Sequence, residues 1–323
     1  MAIRVGFIGC GGMNNAHMNN ISANPDSEVV AVCDIQPQRV DEAAALHRAA
    51  AYVSYNEMIG AGDLDAVYVA VPPFAHEKQE QTVVENGLHL FVEKPVALDM
   101  DTARANAAAI ENAGIISAVG FQDRYLDVVA RMQAVLADNT PGLMMGYWMG
   151  GIPMVPWWRV KAQSGGQAVE QTIHHFDTAR YLFGEVEVVH AVSSQGLVTD
   201  LEGYDVEDAG AVNLQFASGL CGTIFSSCFA GARNRNGIDI WCREVALEYT
   251  ERKSLRIVHS DGDEEFITVK IDPVTAIDDA FIAAIKAGDQ SLIRSSYADA
   301  AKSLEVVLAA NESMETRQAI TLR

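Results

Sequence analysis

RVGFIGCGGMNNAH, from Arg4 to His17, decides how this chain is read. Arg4 to Ile8 is a short apolar run, Gly9-Cys10-Gly11-Gly12 is a turn, and Asn15 to Ile21 suits a helix. A second apolar run, Val29 to Cys33, ends at Asp34. Strand, glycine turn, helix, strand and terminal acid are, in that order, the parts of a dinucleotide-binding βαβ unit. Gly9 permits the tight turn, Gly11 removes a side chain that would hold the backbone off a pyrophosphate, and the helix start offers free N–H groups to that anion. Asn14 stands at the third glycine position, so the pattern is GxGxxN. A carboxylate at Asp34 accepts hydrogen bonds from ribose hydroxyls and repels a 2′-phosphate, which favours NAD over NADP.

Outward from this unit, 323 residues with 49% in the hydrophobic set are enough for two cores, and two domains are expected, 1–122 and 123–323. A net charge of -20 argues against nonspecific binding to nucleic acid or an anionic membrane, while leaving a neutral sugar or polyol open as substrate. Cys10, Cys33, Cys221, Cys228 and Cys242 are scattered without a CxxC pair, so buried free thiols and a cytosolic setting are expected. The fold begins by residue 3 and no apolar segment reaches about 18 residues, so neither a signal peptide nor a membrane span is expected.

The first domain goes on alternating. Helices are expected at Gln38 to His47, Ala75 to Asn86 and Asp101 to Ala113, and strands at Leu64 to Val71, Leu88 to Val92 and Ile115 to Gly120. Near-continuous apolar runs such as Leu64 to Val71 are those of a parallel sheet covered on both faces. Its strand ends, Gly9 to Gly12, Asp34, Val71 to His76 and Glu93 to Pro95, are where a site belongs. Beyond Gln122 to Arg124 the character changes. Helices are expected at Asp127 to Ala137, Val169 to Phe183, Ala276 to Ala287 and Ala298 to Ser313, the last able to pack back on the first domain. Leu143 to Arg159 has no sustained helix or strand period, and its tryptophans serve either as packing or as sugar-binding surfaces. Alternation from Ala211 to Phe216, then Leu220 to Phe229, Ile238 to Trp241, Val245 to Tyr249, Leu255 to Val258 and Ile267 to Ile271, signals an antiparallel sheet.

Two further places look chemical. Glu93-Lys94-Pro95 follows a strand, where a lysine beside a bound dinucleotide can donate to the oxygen undergoing redox change; Pro95 keeps Lys94 extended and is a candidate for a cis bond. In Gly165 to Asp177, helical spacing puts Glu170, His174 and Asp177 on one face, with His175 about 100° round. Histidine suits proton transfer, and an acid nearby orients its ring. A metal site from Glu170, His174, His175 and Asp177 is disfavoured, since neither HxxxH nor a cysteine partner is present.

On Gly9 to Gly12 with His17, Val71-Pro72-Pro73 with His76, Glu93-Lys94-Pro95 and the Gly165 to Asp177 segment, the chain resembles, over nearly its full length, the glucose-fructose oxidoreductase, inositol dehydrogenase and rhizopine-catabolism family. The resemblance implies a Rossmann domain followed by an α+β domain with a large, mostly antiparallel open sheet, paired as a homodimer or homotetramer through that sheet. It implies catalytic Lys94 and His174, with Glu170 where many relatives have aspartate and Thr172 where many have glycine. The cofactor set is then Gly9, Cys10, Gly11, Gly12, Met13, Asn14, Asp34, Val71, Pro72, Pro73, His76, Glu93 and Lys94. The substrate set is Lys94, Arg124, Trp158, Arg159, Glu170, His174 and Asp177. The expected reaction passes a hydride between NAD and a secondary hydroxyl or ketone of a sugar, inositol or related cyclic polyol. Alternatives left open are glycoside cleavage with transient oxidation, a non-catalytic NAD-binding regulator, and reduction of a non-sugar carbonyl.

Overall fold

The computed structural model describes residues 1–76 and 78–322; Glu77, inside the helix expected from Ala75 to Asn86, and Arg323 lie outside them. In the first unit six strands, β1 (Ile3–Ile8), β2 (Ser27–Cys33), β3 (Ala50–Tyr52), β4 (Ala66–Val69), β5 (His89–Val92) and β6 (Ser117–Val119), form a sheet in the order β3-β2-β1-β4-β5-β6. Every pairing in it is parallel. All four residues of β4 are 0% exposed, which is why this strand reads as an unbroken apolar run. Helices α1 (Gly12–Ala23), α2 (Pro37–His47), α3 (Tyr55–Gly60), α4 (Gln79–Glu85) and α5 (Met100–Ala113) fill the crossovers. The Asp99 side chain caps α5 by accepting from the Thr102 N–H, and Gly114 ends it in the left-handed region. The helix expected from Ala75 starts later, because Pro73–Ala75 form a separate 3-10 turn that begins at the second of two prolines, neither of which has an N–H.

The second unit is an α+β layer on a nine-stranded sheet. Its strands are β7 (Pro141–Met149), β8 (Val186–Ser194), β9 (Ala209–Phe216), β10 (Cys221–Ser227), β11 (Arg235–Cys242), β12 (Val245–Thr250), β13 (Ser254–His259), β14 (Glu264–Thr268) and β15 (Ile320–Thr321), in the order β14-β13-β12-β11-β7-β10-β9-β8-β15. Only β7 and β10 run parallel; the sheet is otherwise antiparallel and open. Helices α6 (Asp127–Asp138), the single turn α7 (Lys161–Ser164) and α8 (Ile173–Phe183) belong to this unit. Alternate residues such as Met144, Ile224, Val212, Ile240 and Leu247 are buried on one face, and Phe183 of α8 meets Phe216 of β9 edge-on at 5.6 Å. The opposite face leaves Leu143, Val192, Phe225, Trp241 and Phe266 exposed. β7 had no legible period, and β14 lies at Glu264–Thr268 rather than Ile267 to Ile271, because the turn at Asp261-Gly262 fixes its register against β13.

Asp272–Ala301 group with residues 1–122 as one compact unit, and Asp123–Ile271 with the residues from Lys302 on as the other. The segment Asp272–Ala301 holds α9 (Pro273–Ala287) and the first turn of α10 (Tyr297–Thr316). The physical reason is burial of Ile277, Phe281 and Ile282 together with hydrogen bonds from α1 to Asp278. Among the described residues no helix is long and apolar enough to cross a membrane. All five cysteines are free; Cys10, Cys33 and Cys228 are buried, whereas Cys221, expected to be buried, is exposed at the start of β10, and Cys242 is intermediate.

Candidate functional site

At the β1–α1 turn, Gly9 has φ +92° and a Cβ there would collide with the Ala70 carbonyl oxygen, so only glycine fits. Beyond Gly11 and Gly12 a Cβ would meet only open space, and the N-cap residue of α1, Gly11, has no side chain with which to cap it. A helix start bordered by free volume is what a pyrophosphate requires, so the turn fits a dinucleotide. Asn14, at the third glycine position, is 0% exposed and its Nδ2 donates to the carbonyls of Ile8 (2.9 Å) and Gly9 (2.6 Å). The departure from GxGxxG thus ties the helix to the turn by hydrogen bonds. Asp34 accepts from the Cys10 N–H at 2.8 Å and the Gln36 N–H at 2.9 Å, which fixes its carboxylate beside the turn. Burial, with Asp34 nearby, pushes the Cys10 thiol up to about 12 and removes it as a nucleophile. Met13 is exposed on the first turn of α1.

At the ends of the neighbouring strands, Val71 and Pro72 are half-buried, Pro73 is buried, and His76 Nδ1 lies 2.5 Å from Glu80 Oε1. Beyond β5, the Lys94 N–H donates to Glu93 Oε2 at 3.2 Å, the Lys94–Pro95 bond is cis, and Lys94 is half-buried. The first unit therefore gathers the expected cofactor residues at the carboxyl ends of β1, β2, β4 and β5, where an open parallel sheet binds ligands.

In the second unit, the expected helix from Val169 begins as a π turn, Ala168–Thr172, and becomes α-helical at Ile173. Glu170 lies inside the wide turn, so simple α spacing from His174 does not describe it. Thr172 is fully buried, and its hydroxyl donates to Gln167 Oε1 at 2.5 Å within the same turn. His174 is 6% exposed with its ring parallel to Trp148, centroids 6.2 Å apart. His175, the weaker candidate, is 1% exposed with Nε2 3.1 Å from the Tyr147 carbonyl oxygen. Burial pulls it down to about 4, which keeps it neutral and structural.

Three residues expected to contact substrate are occupied otherwise. Trp158 is 0% exposed, packed with Val206 and Cys228 and flanked by Ile152, Trp157 and Tyr204, so it offers no indole face to a ring. Its Nε1 instead donates to Glu170 Oε2 at 2.8 Å. Arg124 and Asp177 form a buried bidentate pair at 2.7 and 2.6 Å, joined by the Ser303 hydroxyl, which donates to Asp177 at 2.7 Å. Asp177 is thereby committed to Arg124 rather than set beside Glu170 as a second acid. Arg159 is half-buried, and among the described residues its buried Nε has no acceptor. Among the described residues no group of three or more His, Cys, Asp and Glu has metal-holding geometry.

Fold and turn together define a dinucleotide-binding protein of Rossmann topology carrying a second, antiparallel-sheet unit. The chain belongs to the GFO/IDH/MocA oxidoreductase family: the profile for its oxidoreductase family, NAD-binding Rossmann fold, matches residues 3–121, and that for its C-terminal domain matches residues 143–248. It is 27% identical to inositol 2-dehydrogenase of Rhizobium meliloti (strain 1021) over the full length of both chains. It is 29% identical to myo-inositol 2-dehydrogenase of Thermotoga maritima over 70% of this chain and 68% of that one. In fold it is similar to levoglucosan dehydrogenase in complex with NADH and levoglucosan, with a TM-score of 0.90, 22% identity and 99% of both chains covered.

Proposed function

We propose that this oxidoreductase is an NAD-dependent dehydrogenase or reductase acting on a secondary hydroxyl or ketone of a sugar, inositol or related neutral cyclic polyol. The observation that carries the reading is the uncapped α1 N-terminus with its bare Gly11 and Gly12, in the same strand-end region as Lys94. Bound there, NAD supplies a hydride acceptor. Lys94 donates to the substrate oxygen and stabilises its developing negative charge. His174 takes the hydroxyl proton, held flat by Trp148, and Glu170 orients the accepting group while Trp158 fixes Glu170. In the reverse direction the same groups protonate the reduced carbonyl. The unmatched Nε of Arg159 suits a hydroxyl acceptor on the substrate. Inositol dehydrogenases among the relatives support the cyclic polyol class, and the net charge of -20 offers a polyanion no long-range attraction.

Asp34, held by two backbone N–H groups, favours the 2′-hydroxyl of NAD over a 2′-phosphate. Paired titrations test this: Asp34→Ala should weaken NAD and narrow discrimination, and NADP binding as tight as NAD in the unaltered protein would overturn it. The exposed sheet face supports a homodimer or homotetramer. Trp241 pairs with Leu143 across β11 and β7, while Phe225, Ala211 and Val192 form a second row, an apolar surface that a second copy would cover. The free thiols fit a cytosolic setting.

The purified protein with NAD or NADP, screened against cyclitols, aldoses and glycosides by nicotinamide absorbance, tests the function. Stoichiometric NADH and an intact carbon skeleton are expected. Turnover of acyclic hydroxy acids alone, or glycoside cleavage without net NADH, would overturn the reading.

A further inference from the structure

His17 plays no part in the proposed reaction, yet it is 1% exposed and surrounded by ionisable groups from several segments. Its Nδ1 lies 2.7 Å from Asp278 Oδ1 on α9, and its Nε2 lies 3.2 Å from Glu93 Oε1 just beyond β5. Tyr68 of β4 and Asn20 of α1 also donate to Asp278, at 3.1 and 2.9 Å. The rings of Tyr68 and Phe91 lie against the imidazole with centroids 5.3 and 4.9 Å away. Glu93 gives its other oxygen to the Lys94 N–H. Space for this carboxylate exists because residue 120 is glycine; a Cβ there would collide with Glu93 Oε1.

A neutral imidazole has a single N–H and serves one carboxylate as donor. His17 faces a carboxylate at each nitrogen, so the arrangement calls for both N–H groups. The imidazole stands on the helix whose N-terminus is open to the pyrophosphate, and its Glu93 partner immediately precedes Lys94. We propose that His17, as an imidazolium bridging Glu93 and Asp278, is a positioning residue that locks the dinucleotide helix to the strand end carrying Lys94. The proposal deepens the nucleotide-site reading given above and rests on it.

Burial alone pulls the His17 ring down, but its hydrogen bonds to Asp278 and Glu93 outweigh that and raise it to about 9. Burial raises Asp278, yet three donors converge on its oxygens, so the proton resides on the ring. The ionisable groups facing His17 are Glu93, Asp278 and Tyr68. The lock is therefore closed at neutral pH and opens as pH rises through about 9, when one N–H is lost.

NADH binding, followed by nicotinamide fluorescence from pH 7 to 10 with circular dichroism as a check on folding, tests this without any substrate. Affinity should be constant at neutral pH and, one unit above the His17 transition, roughly tenfold weaker than at neutral pH. Lys94→Ala should keep that pH dependence, which separates His17 from the lysine. His17→Gln leaves two carboxylates facing each other and risks misfolding, so Gly120→Ala is the sharper variant: it displaces Glu93 and leaves the His17–Asp278 bond in place. Gly120→Ala should bind NADH several-fold more weakly at neutral pH, with a flatter pH profile. Wild-type affinity flat to pH 10, or a Gly120→Ala protein that melts lower but binds NADH with the wild-type profile, would reduce His17 to a packing role and overturn the proposal. NADH binding with no turnover of any polyol would overturn the substrate reading alone, and no NADH binding at any pH would overturn both.

Discussion

Trp158→Phe separates what an indole does by packing from what its N–H does for Glu170. The side chain is fully buried among Val206, Cys228 and neighbouring aromatics, and Nε1 is 2.8 Å from a carboxylate oxygen. Phenylalanine keeps most of the apolar contact. It removes a hydrogen bond to a charged acceptor, about 1.5–3 kcal/mol, and leaves a void of roughly 40 Å³, about 1 kcal/mol. A loss of about 2–4 kcal/mol should lower Tm by roughly 5–15 °C, at ~2–4 °C per kcal/mol for a chain of this size class. Trp158→Ala, with the whole ring gone, should cost about 3–5 kcal/mol. Because Glu170 loses its anchor, kcat should fall in Trp158→Phe while NAD affinity, set in the first unit, stays the same. Melting by circular dichroism and steady-state kinetics on the same preparations read both effects. An unchanged Tm in Trp158→Ala together with a raised KM would make the indole a ligand surface and refute the buried-anchor argument.

Gly9→Ala forces a side chain into the left-handed region and against the Ala70 carbonyl, so soluble protein should drop sharply and any that folds should bind NADH poorly in a fluorescence titration. Arg124→Ala removes the bidentate partner of buried Asp177, and breaking such a buried pair should lower stability in urea by about 3–5 kcal/mol. His175 titrates near its ordinary value of ~6.5 when unfolded and, through burial, at about 4 when folded. Its contribution is therefore complete above ~6.5 and lost as pH falls toward 4, about 3 kcal/mol, and His175→Gln should flatten the urea-midpoint slope over that window.

The first unit was legible because a parallel sheet covered on both faces must be written as apolar runs, and β4, buried throughout, is the plainest case. β7 was not, since its residues answer to their neighbours rather than to strand propensity. Gly222 lies directly opposite Met144, and Gly146 opposite Ile224; a Cβ on Gly222 would run into Met144, and one on Gly146 would crowd Ile224. Glycines and methionines that look irregular in sequence are small and large halves of these contacts. The candidate site was legible where chemistry is local, as at Gly9 to Gly12 and Glu93-Lys94. It was illegible where partners are distant: Asp278 is 261 positions from His17, and Glu170 was expected on regular α-helix where a π turn stands. The three-residue step from His174 to Asp177 puts both on one helical face, but Arg124, which claims the acid, lies 53 positions away.

Isotope transfer reports directly on hydride passage from the polyol carbon to the nicotinamide. A cyclic polyol carrying deuterium on the carbon of its reacting hydroxyl, incubated with the protein and NAD, should yield NADH bearing that deuterium and the corresponding ketone, measured by mass spectrometry. General-base and oxyanion assistance are worth roughly 10² to 10⁴ and 10² to 10³ in rate, so His174→Ala and Lys94→Ala should both slow the transfer by those orders while still binding NADH. Label retained in the polyol or lost to solvent, or transfer at full rate in either variant, would contradict the account.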